Sequence, residues 1–467
     1  MNRHRIAFLT VVLTTIGCQP ASDTPNVILI ITDDQGWVDL GSYGSDVLST
    51  PHLDTLAANG LRFTDFYTVA ASCSPSRAAF LTGMYPQRIG IPGVLMPQSR
   101  RGLHPDERTL AEMLKDLGYA TAIYGKWHLG HDSLHLPLQH GFDEYFGIPY
   151  SNDMTPDAIK NPNPPARQHP PIPLVKDYRI IELEPDQSQL TRHYTERATG
   201  FIDANHDTPF FLYLPHTFPH VPLFVSDAFE GQSGAGLYAD VIMEIDWSVG
   251  QIMEALKRHD LIENTLIIFS SDNGPWLIKG DHSGHVGPLR EGKGTTFEGG
   301  HRVPLLVSWP GVIAPGVTDA MVSAIDVMPT IAAFTGAPPG PFPFDGQSLV
   351  SVIHGGASPH EALFFYQGHQ LHAVRSGRWK LHVPHHYRSI HGATLSTPTF
   401  QGAYRQDSIG LSLFDLQSDI GETTNLADSH PGVVDRLLGY VNTMREDLGD
   451  RLTDTVGSGR RPPLVLE

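Results

Sequence analysis

The chain has 467 residues, of which 40% are hydrophobic and 18% are charged, and its formal net charge is -18 at pH 7. This length and apolar content suffice for a globular protein with two domains around substantial cores, and 45 glycines and 38 prolines indicate many loops. The acidic balance argues against nucleic acid as a partner and makes any basic cluster around an anionic substrate a local exception.

The first 18 residues are predicted to be a signal peptide. Two arginines precede an apolar stretch over residues 6–16, which ends at Gly17-Cys18. The Gly-Cys order resembles a bacterial lipoprotein cleavage site and makes Cys18 a candidate lipid anchor, although Thr15 stands where such sites usually have leucine. We expect an exported protein, which is periplasmic, membrane-anchored as a lipoprotein, or extracellular. Cys18 and Cys73 are the only cysteines, so no disulfide framework is expected in the mature domain.

Apolar runs alternate with helical patterns through the first two thirds of the chain. Continuous β-branched runs without polar alternation are typical of strands that are buried on both faces. Such strands are predicted over residues 26–32, 120–124, 210–214, 265–270 and 303–309, and helices over 50–60, 110–117 and 239–256. This order predicts an α/β fold: a large layered domain with a mostly parallel central sheet and helices on both faces.

A lone cysteine stands where a helix is expected to begin. Pro75 suits the first turn, Ser74 is the expected cap, and Gly83 is expected to end the helix. Cys73 would then lie at a helix N-terminus, where an anion can be held, with Arg77 one turn along on the same side. An isolated cysteine is by default a small buried apolar residue. The proline and arginine that follow Cys73 point instead to a chemical role.

Two of the predicted strands end in side chains that carry oxygen ligands. Asp33 and Asp34 follow the first strand, and Asp272 and Asn273 follow the strand that ends at residue 270. Ligand sites of parallel sheets lie beyond the carboxyl ends of the strands, so three carboxylates and one amide are expected to converge. The carboxylates would repel one another unless calcium or magnesium lay between them. Each pair alone is a common turn sequence, but their matched placement indicates a metal site.

The basic candidates lie in three other loops. Lys126 and His128 would point to the same side of an extended segment, which offers a cation and a titratable group to an anion. His220 follows the strand over residues 210–214, and nearby His216 is a secondary candidate. Glycines around Lys293 allow backbone and ammonium to approach a ligand closely.

These motifs, taken together and in this order, resemble the sulfatase family, most closely its arylsulfatase A and N-acetylgalactosamine-6-sulfatase groups. Cys-x-Pro-x-Arg at Cys73 and Gly-Lys-Trp-His-Leu-Gly at Lys126 are similar to the two family signatures. His-Val-Pro at His220 and the glycine-rich segment at Lys293 look like the family's substrate-binding elements. The resemblance covers residues 26 to about 311 and extends more loosely beyond them.

The resemblance implies a specific cofactor chemistry. A separate maturation enzyme would oxidise Cys73 to formylglycine, and a hydroxyl of its hydrate would attack sulfur. One divalent metal, usually Ca²⁺ with Mg²⁺ as the alternative, would be held by the side chains at positions 33, 34, 73, 272 and 273. The implied catalytic residues are Cys73, Arg77, Lys126 and His128, where His128 is the base, and the implied substrate-binding residues are His220 and Lys293, either of which would protonate the departing oxygen.

The implied activity is that of an exported sulfatase that acts on a sulfated carbohydrate or an aryl sulfate. Two alternatives stay open: a phosphonate or phosphate ester hydrolase of the same superfamily, and a non-catalytic glycan-binding protein. A proline- and glycine-rich linker near residues 336–341 is expected to separate a catalytic domain, 25–340, from a C-terminal subdomain, 341–467. That subdomain is predicted to contain a small antiparallel sheet and a helix over about 431–448. Residues 149–185 are predicted to be a loop over the site.

Overall fold

The computed structural model describes residues 24–156, 169–338, 340, 342–397 and 402–465. The predicted signal peptide with Cys18 and two prolines of the predicted linker, Pro339 and Pro341, lie outside the described residues. No helix in the described ranges combines the length and the hydropathy needed to cross a lipid bilayer.

The described residues form twenty strands and nine α-helices. The strands are β1 (Asn26–Thr32), β2 (Leu61–Phe63), β3 (Phe66–Tyr67), β4 (Arg101–Gly102), β5 (Ala120–Tyr124), β6 (Glu144–Gly147), β7 (Pro173–Lys176), β8 (Arg179–Leu183), β9 (Phe210–Pro215), β10 (Thr265–Ser271), β11 (Leu305–Ser308), β12 (Gly316–Thr318), β13 (Val322–Ser323), β14 (Leu363–Gln367), β15 (Gln370–Ser376), β16 (Trp379–His382), β17 (His385–Thr394), β18 (Ala403–Ile409), β19 (Ser412–Asp415) and β20 (Leu464–Val465). The helices are α1 (Pro51–Ala58), α2 (Cys73–Thr82), α3 (Leu110–Lys115), α4 (Leu190–Ala204), α5 (Leu237–Arg258), α6 (Glu298–His301), α7 (Val327–Thr335), α8 (Val350–Ile353) and α9 (Pro431–Leu448).

A ten-stranded sheet with the order β12-β2-β11-β10-β1-β9-β5-β6-β7-β8 forms the centre of the large domain. Its middle strands, β10, β1, β9, β5 and β6, are parallel, and β1 is buried along its whole length. Ile28 of β1 lies beside Leu212 and Ile267 of its two neighbours, as expected for a strand without polar alternation. All five predicted strands are present, but β11 runs antiparallel to β10, a direction that its apolar run could not reveal.

Helices cover both faces of this sheet. On one face the core contains Phe80 of α2, Leu110 of α3 and Ile331 of α7. On the other face it contains Leu53 of α1 and Ile245 of α5, together with residues of α4. The predicted layered α/β fold is therefore confirmed.

The C-terminal part contains a four-stranded antiparallel sheet with the order β14-β15-β16-β19. Leu437 and Val441 of α9 share a core with Val374 and Leu381 of this sheet, which confirms the predicted small sheet with a helix. Two features differ from the prediction. The polar hairpin of β17 and β18 was not predicted, and the segment 149–185 contains β7 and β8, which extend the large sheet at its edge.

Candidate active site

Four neighbouring parallel strands, β10, β1, β9 and β5, end at the same edge of the large sheet. Asp33 and Asp34 follow β1 directly, and Asp272 and Asn273 follow β10. All four side chains are buried, and the backbone N–H of Asp34 donates to Asp272 Oδ1 at 3.3 Å. The structure therefore brings together the two acidic loops that the strand ends predict.

Cys73 is the first residue of α2, and its buried side chain faces these loops. Its thiol donates to Asp33 Oδ1 at 3.3 Å, and Lys293 Nζ lies 3.5 Å from its Sγ atom. The expectation that Ser74 caps this helix is wrong: Ser72 is the N-cap residue, and Ser74 Oγ accepts a hydrogen bond from the backbone of Leu95. A tertiary contact thus positions the first turn of the helix.

The electrostatic setting of Cys73 keeps its thiol neutral. Burial raises its pKa well above the usual value, and the negative charge of Asp33 adds to the effect. Lys126 and Lys293 act in the opposite direction but do not outweigh them. An unmodified Cys73 would therefore not be a thiolate nucleophile at neutral pH.

Arg77 lies one turn along α2 and is completely buried between the two acidic loops. Its Nε donates to Asp272 Oδ2 at 2.8 Å and its Nη2 donates to Asp33 Oδ2 at 3.1 Å. Its Nη1 donates to the backbone oxygen of Lys126 at 2.5 Å. Burial opposes the charged form, but Asp272 and Asp33 raise the pKa of Arg77 above its usual value. The guanidinium therefore fixes both loops against α2.

Lys126, which follows β5, is completely buried and forms a short hydrogen bond through Nζ to Asp33 Oδ2. The same ammonium donates to Ser151 Oγ at 3.1 Å. Burial alone would raise the pKa of Asp33, but Lys126 and Arg77 hold it well below its usual range. Asp33 is therefore ionised at neutral pH. Ser151, which no sequence motif marks, is a further polar group of this site.

Asp34 contacts a second lysine and a histidine. Lys293 Nζ lies 2.7 Å from Asp34 Oδ1, and His220 Nε2 lies 3.6 Å from Asp34 Oδ2. Burial raises the pKa of Asp34 to about 7, although Lys293 opposes the shift. The Nδ1 of His220 donates to the carbonyl of Val221 at 2.6 Å, so its Nε2 faces the site. Burial, with the charge of Lys293, lowers the pKa of His220 and keeps its ring neutral.

The donor atoms of this cluster fit a hard divalent cation. One donor atom from each of Asp33, Asp34, Cys73 and His220 lies within 4.8 Å of every other. Asn273 Oδ1 is buried and has no hydrogen-bond partner among the described residues, whereas its Nδ2 donates to Asp34 Oδ1 at 2.7 Å. A buried oxygen without a described partner, beside the Asp34 carboxylate whose ionisation burial makes costly, is the environment that Ca²⁺ or Mg²⁺ would satisfy.

The two remaining histidine candidates differ in their positions. His128 Nε2 donates to the carbonyl of Leu95 at 3.0 Å, and its buried Nδ1 has no partner within the described part of the chain. Burial, reinforced by Lys126, lowers the pKa of His128, so the unpaired Nδ1 is a free base. The backbone carbonyl of His216 accepts from Arg77 at 3.4 Å, but its ring nitrogens have no described partner. His216 is not one of the clustered donors.

The C-terminal sheet holds the segment that carries Lys293. Glu298, at the start of α6, accepts from Lys380 Nζ of β16 at 2.8 Å and from Tyr67 at 2.5 Å. Its backbone N–H donates to Glu422 at 2.7 Å, and Glu422 also accepts from His382 at 2.8 Å. These groups are buried, so they form a charged network that fixes α6 and the glycine-rich loop before it.

Comparisons with known proteins support one family. The sulfatase family model matches residues 25–337, and the model of the C-terminal region of aryl-sulfatase matches residues 358–461. Arylsulfatase A from Bos taurus is 43% identical over 458 residues, which span 94% of this chain and 90% of that protein. N-acetylgalactosamine-6-sulfatase from Homo sapiens is 39% identical over 389 residues, which span 79% of this chain and 73% of that protein.

A solved structure shares the fold over almost the whole chain. The crystal structure of a sulfatase from Pseudoalteromonas sp. superposes with a TM-score of 0.79 and a sequence identity of 26%. The superposition covers 90% of this chain and 90% of the other.

Proposed function

The chain belongs to the sulfatase family and is a sulfuric ester hydrolase, and we propose that it cleaves a sulfate ester at Cys73 after oxidation of Cys73 to formylglycine. One observation carries the proposal: residue 73 begins α2 directly against Asp33 and Lys293, at the edge where the two acidic loops meet. The raised pKa of the thiol argues against a cysteine nucleophile in this position. A formylglycine at position 73 therefore suits these charged neighbours better than a thiolate does.

We assign Asp33, Asp34, Asp272, Asn273 and residue 73 as the ligands of one Ca²⁺, with Mg²⁺ as the alternative. The cation would polarise a sulfate oxygen and lower the pKa of a hydroxyl bound to it. The unpartnered Oδ1 of Asn273 and the crowded carboxylates support this assignment. His220 belongs to the same compact group of donors. Because Ca²⁺ and Mg²⁺ prefer oxygen, we assign its Nε2, which faces the site, to the substrate.

The matured side chain would supply one hydroxyl for attack on sulfur and a second whose loss of a proton releases sulfate. Arg77 and Lys126 hold Asp33 ionised and place their positive charge beside residue 73, where charge on the sulfate develops. His128 has a free Nδ1 and a lowered pKa, so it serves as the base toward the second hydroxyl.

Two residues are alternatives for protonating the departing alcohol oxygen. Lys293 carries a proton in the substrate-free protein, because Asp34 raises its pKa. His220 is neutral there, but the negative charge of a bound sulfate would raise its pKa and let Nε2 take up a proton. We assign both residues to binding of the sulfate group.

The remaining assignments concern substrate, organisation and location. The relatives' names support a sulfated carbohydrate or an aryl sulfate as substrate. We propose residues 25–340 as the catalytic domain and residues 341–467 as the C-terminal subdomain, which fixes the Lys293 segment through Lys380 and Glu422. We also propose that the protein is exported, with Cys18 as its candidate lipid anchor, and that a formylglycine-generating enzyme is its maturation partner.

The test is to express the chain with and without a formylglycine-generating enzyme and to compare hydrolysis of aryl sulfate, aryl phosphate and aryl phosphonate esters. We expect sulfate hydrolysis that depends on maturation and exceeds hydrolysis of the other two esters. A preference for phosphonate or phosphate would favour the ester hydrolase alternative. Binding of a sulfated glycan without turnover, with an intact thiol at Cys73, would favour the glycan-binding alternative.

A further inference from the structure

Lys279 is a largely buried lysine that has no ion-pair partner among the described residues and lies beside the proposed sulfate site. It lies in a 3-10 helix, Leu277–His282, shortly after the loop of Asp272 and Asn273, and only 7% of its surface is exposed. Within the described residues its side chain forms neither a hydrogen bond nor an ion pair. Burial lowers the pKa of Lys279 and the charge of Lys293 adds to this shift, whereas the charge of Asp153 opposes it. No carboxylate forms an ion pair with this lysine in the described ranges, so an anionic ligand would stabilise its charged form.

The ring of Trp276 places this ammonium next to the sulfate-binding residues. Lys279 Nζ lies 4.2 Å from the centre of the ring, and Lys293 Nζ lies 5.0 Å from the same centre. The ring of His220 packs against Trp276 at a centroid distance of 5.6 Å. Lys279 is therefore adjacent to the site but does not contact Asp34, the carboxylate that Lys293 binds.

A second cation, Arg388, reaches the same region from the hairpin of β17 and β18. Its guanidinium lies 5.1 Å from the ring centre of Tyr404, and its Nη2 lies so close to Gly294 that a Cβ atom there would collide with it. Gly294, next to Lys293, has a φ of 81°. Arg388 is exposed and has no carboxylate partner within the described ranges.

The hairpin and the Lys279 segment form one wall. The backbone N–H of Ser396, just after β17, donates to the carbonyl of Ile278 at 2.8 Å. Two basic side chains without an ion pair in the described part of the chain therefore lie on this wall, in a protein whose net charge is -18. Such a local exception to the overall charge is the pattern expected where an anion binds.

We propose that Lys279 and Arg388 bind a second anionic group of the substrate, a sulfate or a carboxylate that is not itself cleaved. The preferred substrate class is then an acidic sulfated glycan rather than a neutral sugar or aryl group with a single sulfate. Lys279 would offer a point charge, and Arg388 would offer the planar pair of N–H donors that matches both kinds of anion. This inference rests on the proposed sulfatase activity at residue 73.

The test compares Lys279→Met, Arg388→Met and the double variant on two substrates, a disulfated disaccharide and 4-nitrophenyl sulfate. We expect the ratio of kcat/KM for the disaccharide to that for the aryl sulfate to fall about tenfold per substitution. Disaccharides in which the second sulfate is removed, or replaced by a carboxylate, identify the anion that is bound. Lys257→Met and Arg192→Met are matched controls, because these exposed residues pair with Glu254 and Glu196 on remote helices.

An unchanged ratio in the double variant would overturn the inference, as would an equal loss on both substrates. Calorimetric binding of the disaccharide to the inactive Cys73→Ala protein, with and without Lys279→Met, supplies a readout without turnover. Weaker binding in the Lys279→Met protein is expected, and equal binding would contradict the inference. A wild-type protein that hydrolyses neither substrate but shows this difference in binding would refute the proposed activity and leave the second anion site standing.

Discussion

Replacement of Arg77 by methionine tests whether a buried guanidinium holds the two acidic loops together. Arg77, Asp33 and Asp272 have completely buried side chains, so Arg77→Met leaves two carboxylates in the interior without their shared partner. Loss of one partner from a buried ion pair destabilises a protein by about 3–5 kcal/mol. We expect a decrease of this size in the free energy of unfolding, measured by urea titration in EDTA, and a loss of at least about 10²-fold in kcat for aryl sulfate.

Arg88→Met is the matched control. Arg88 also bridges two carboxylates, Asp345 and Asp447, but its side chain is 15% exposed and lies outside the candidate site. A partly exposed pair of this kind contributes about 1 kcal/mol, so Arg88→Met should be mildly destabilised and fully active. If Arg77→Met unfolded at the same urea concentration as Arg88→Met and retained sulfatase activity, Arg77 would not hold the two acidic loops together.

Three further predictions concern the nucleophile, the cation and the base. Cys73→Ala should abolish turnover and leave the free energy of unfolding within about 1 kcal/mol of the wild-type value, because the side chain acts as a reagent. Hydrolysis at the normal rate would disprove this. In the cation-free protein the pKa of Asp34 is raised to about 7, above its usual 3.8, so its ionisation costs stability above pH 7 and this cost disappears as the pH falls toward 4. Ca²⁺ should therefore raise the unfolding temperature more at pH 8 than at pH 5, as measured by scanning fluorimetry. An equal rise at the two pH values would argue against Asp34 as a ligand, and so would an unchanged pH dependence in Asp34→Asn. His128→Ala should lower kcat by about 10² to 10⁴ with an unchanged fold, and steady-state kinetics that show a normal kcat would exclude His128 as the base.

Much of the fold could be predicted, because in the centre of the large sheet the apolar runs of the sequence become strands that are buried on both faces. The apolar run of β1 has no polar alternation, and in the structure it is buried between two parallel strands. Since parallel strands share an edge, the residues that follow them could be expected to meet. In the structure Asp34 contacts Asp272, and Arg77 binds both Asp272 and Asp33. The direction of β11 could not be predicted, because a short apolar run fits either orientation.

Other features depend on contacts between distant segments that no local pattern encodes. Ser74 has the residue type of a helix cap, but a loop twenty-one residues further along the chain donates to its hydroxyl instead. Ser151 lies in a segment expected to be a loop and has no motif around it, yet Lys126 donates to it. Lys279 and Arg388 are ordinary charged residues in the sequence, and only the placement of Trp276 and of the β17–β18 hairpin brings them to the site. The feature that marks these two residues is their lack of ion pairs, and this feature can be seen only in the structure.

Residue 73 is proposed to become an aldehyde whose hydrate carries out sulfate ester cleavage. The most direct measurement is mass spectrometry of the peptide that contains residue 73, from protein produced with a formylglycine-generating enzyme, together with its specific activity toward aryl sulfate. We predict that the CH₂SH group is replaced by CHO and that activity is proportional to the fraction converted across preparations. A fully active preparation with an intact thiol at Cys73 would exclude the aldehyde as the reacting group.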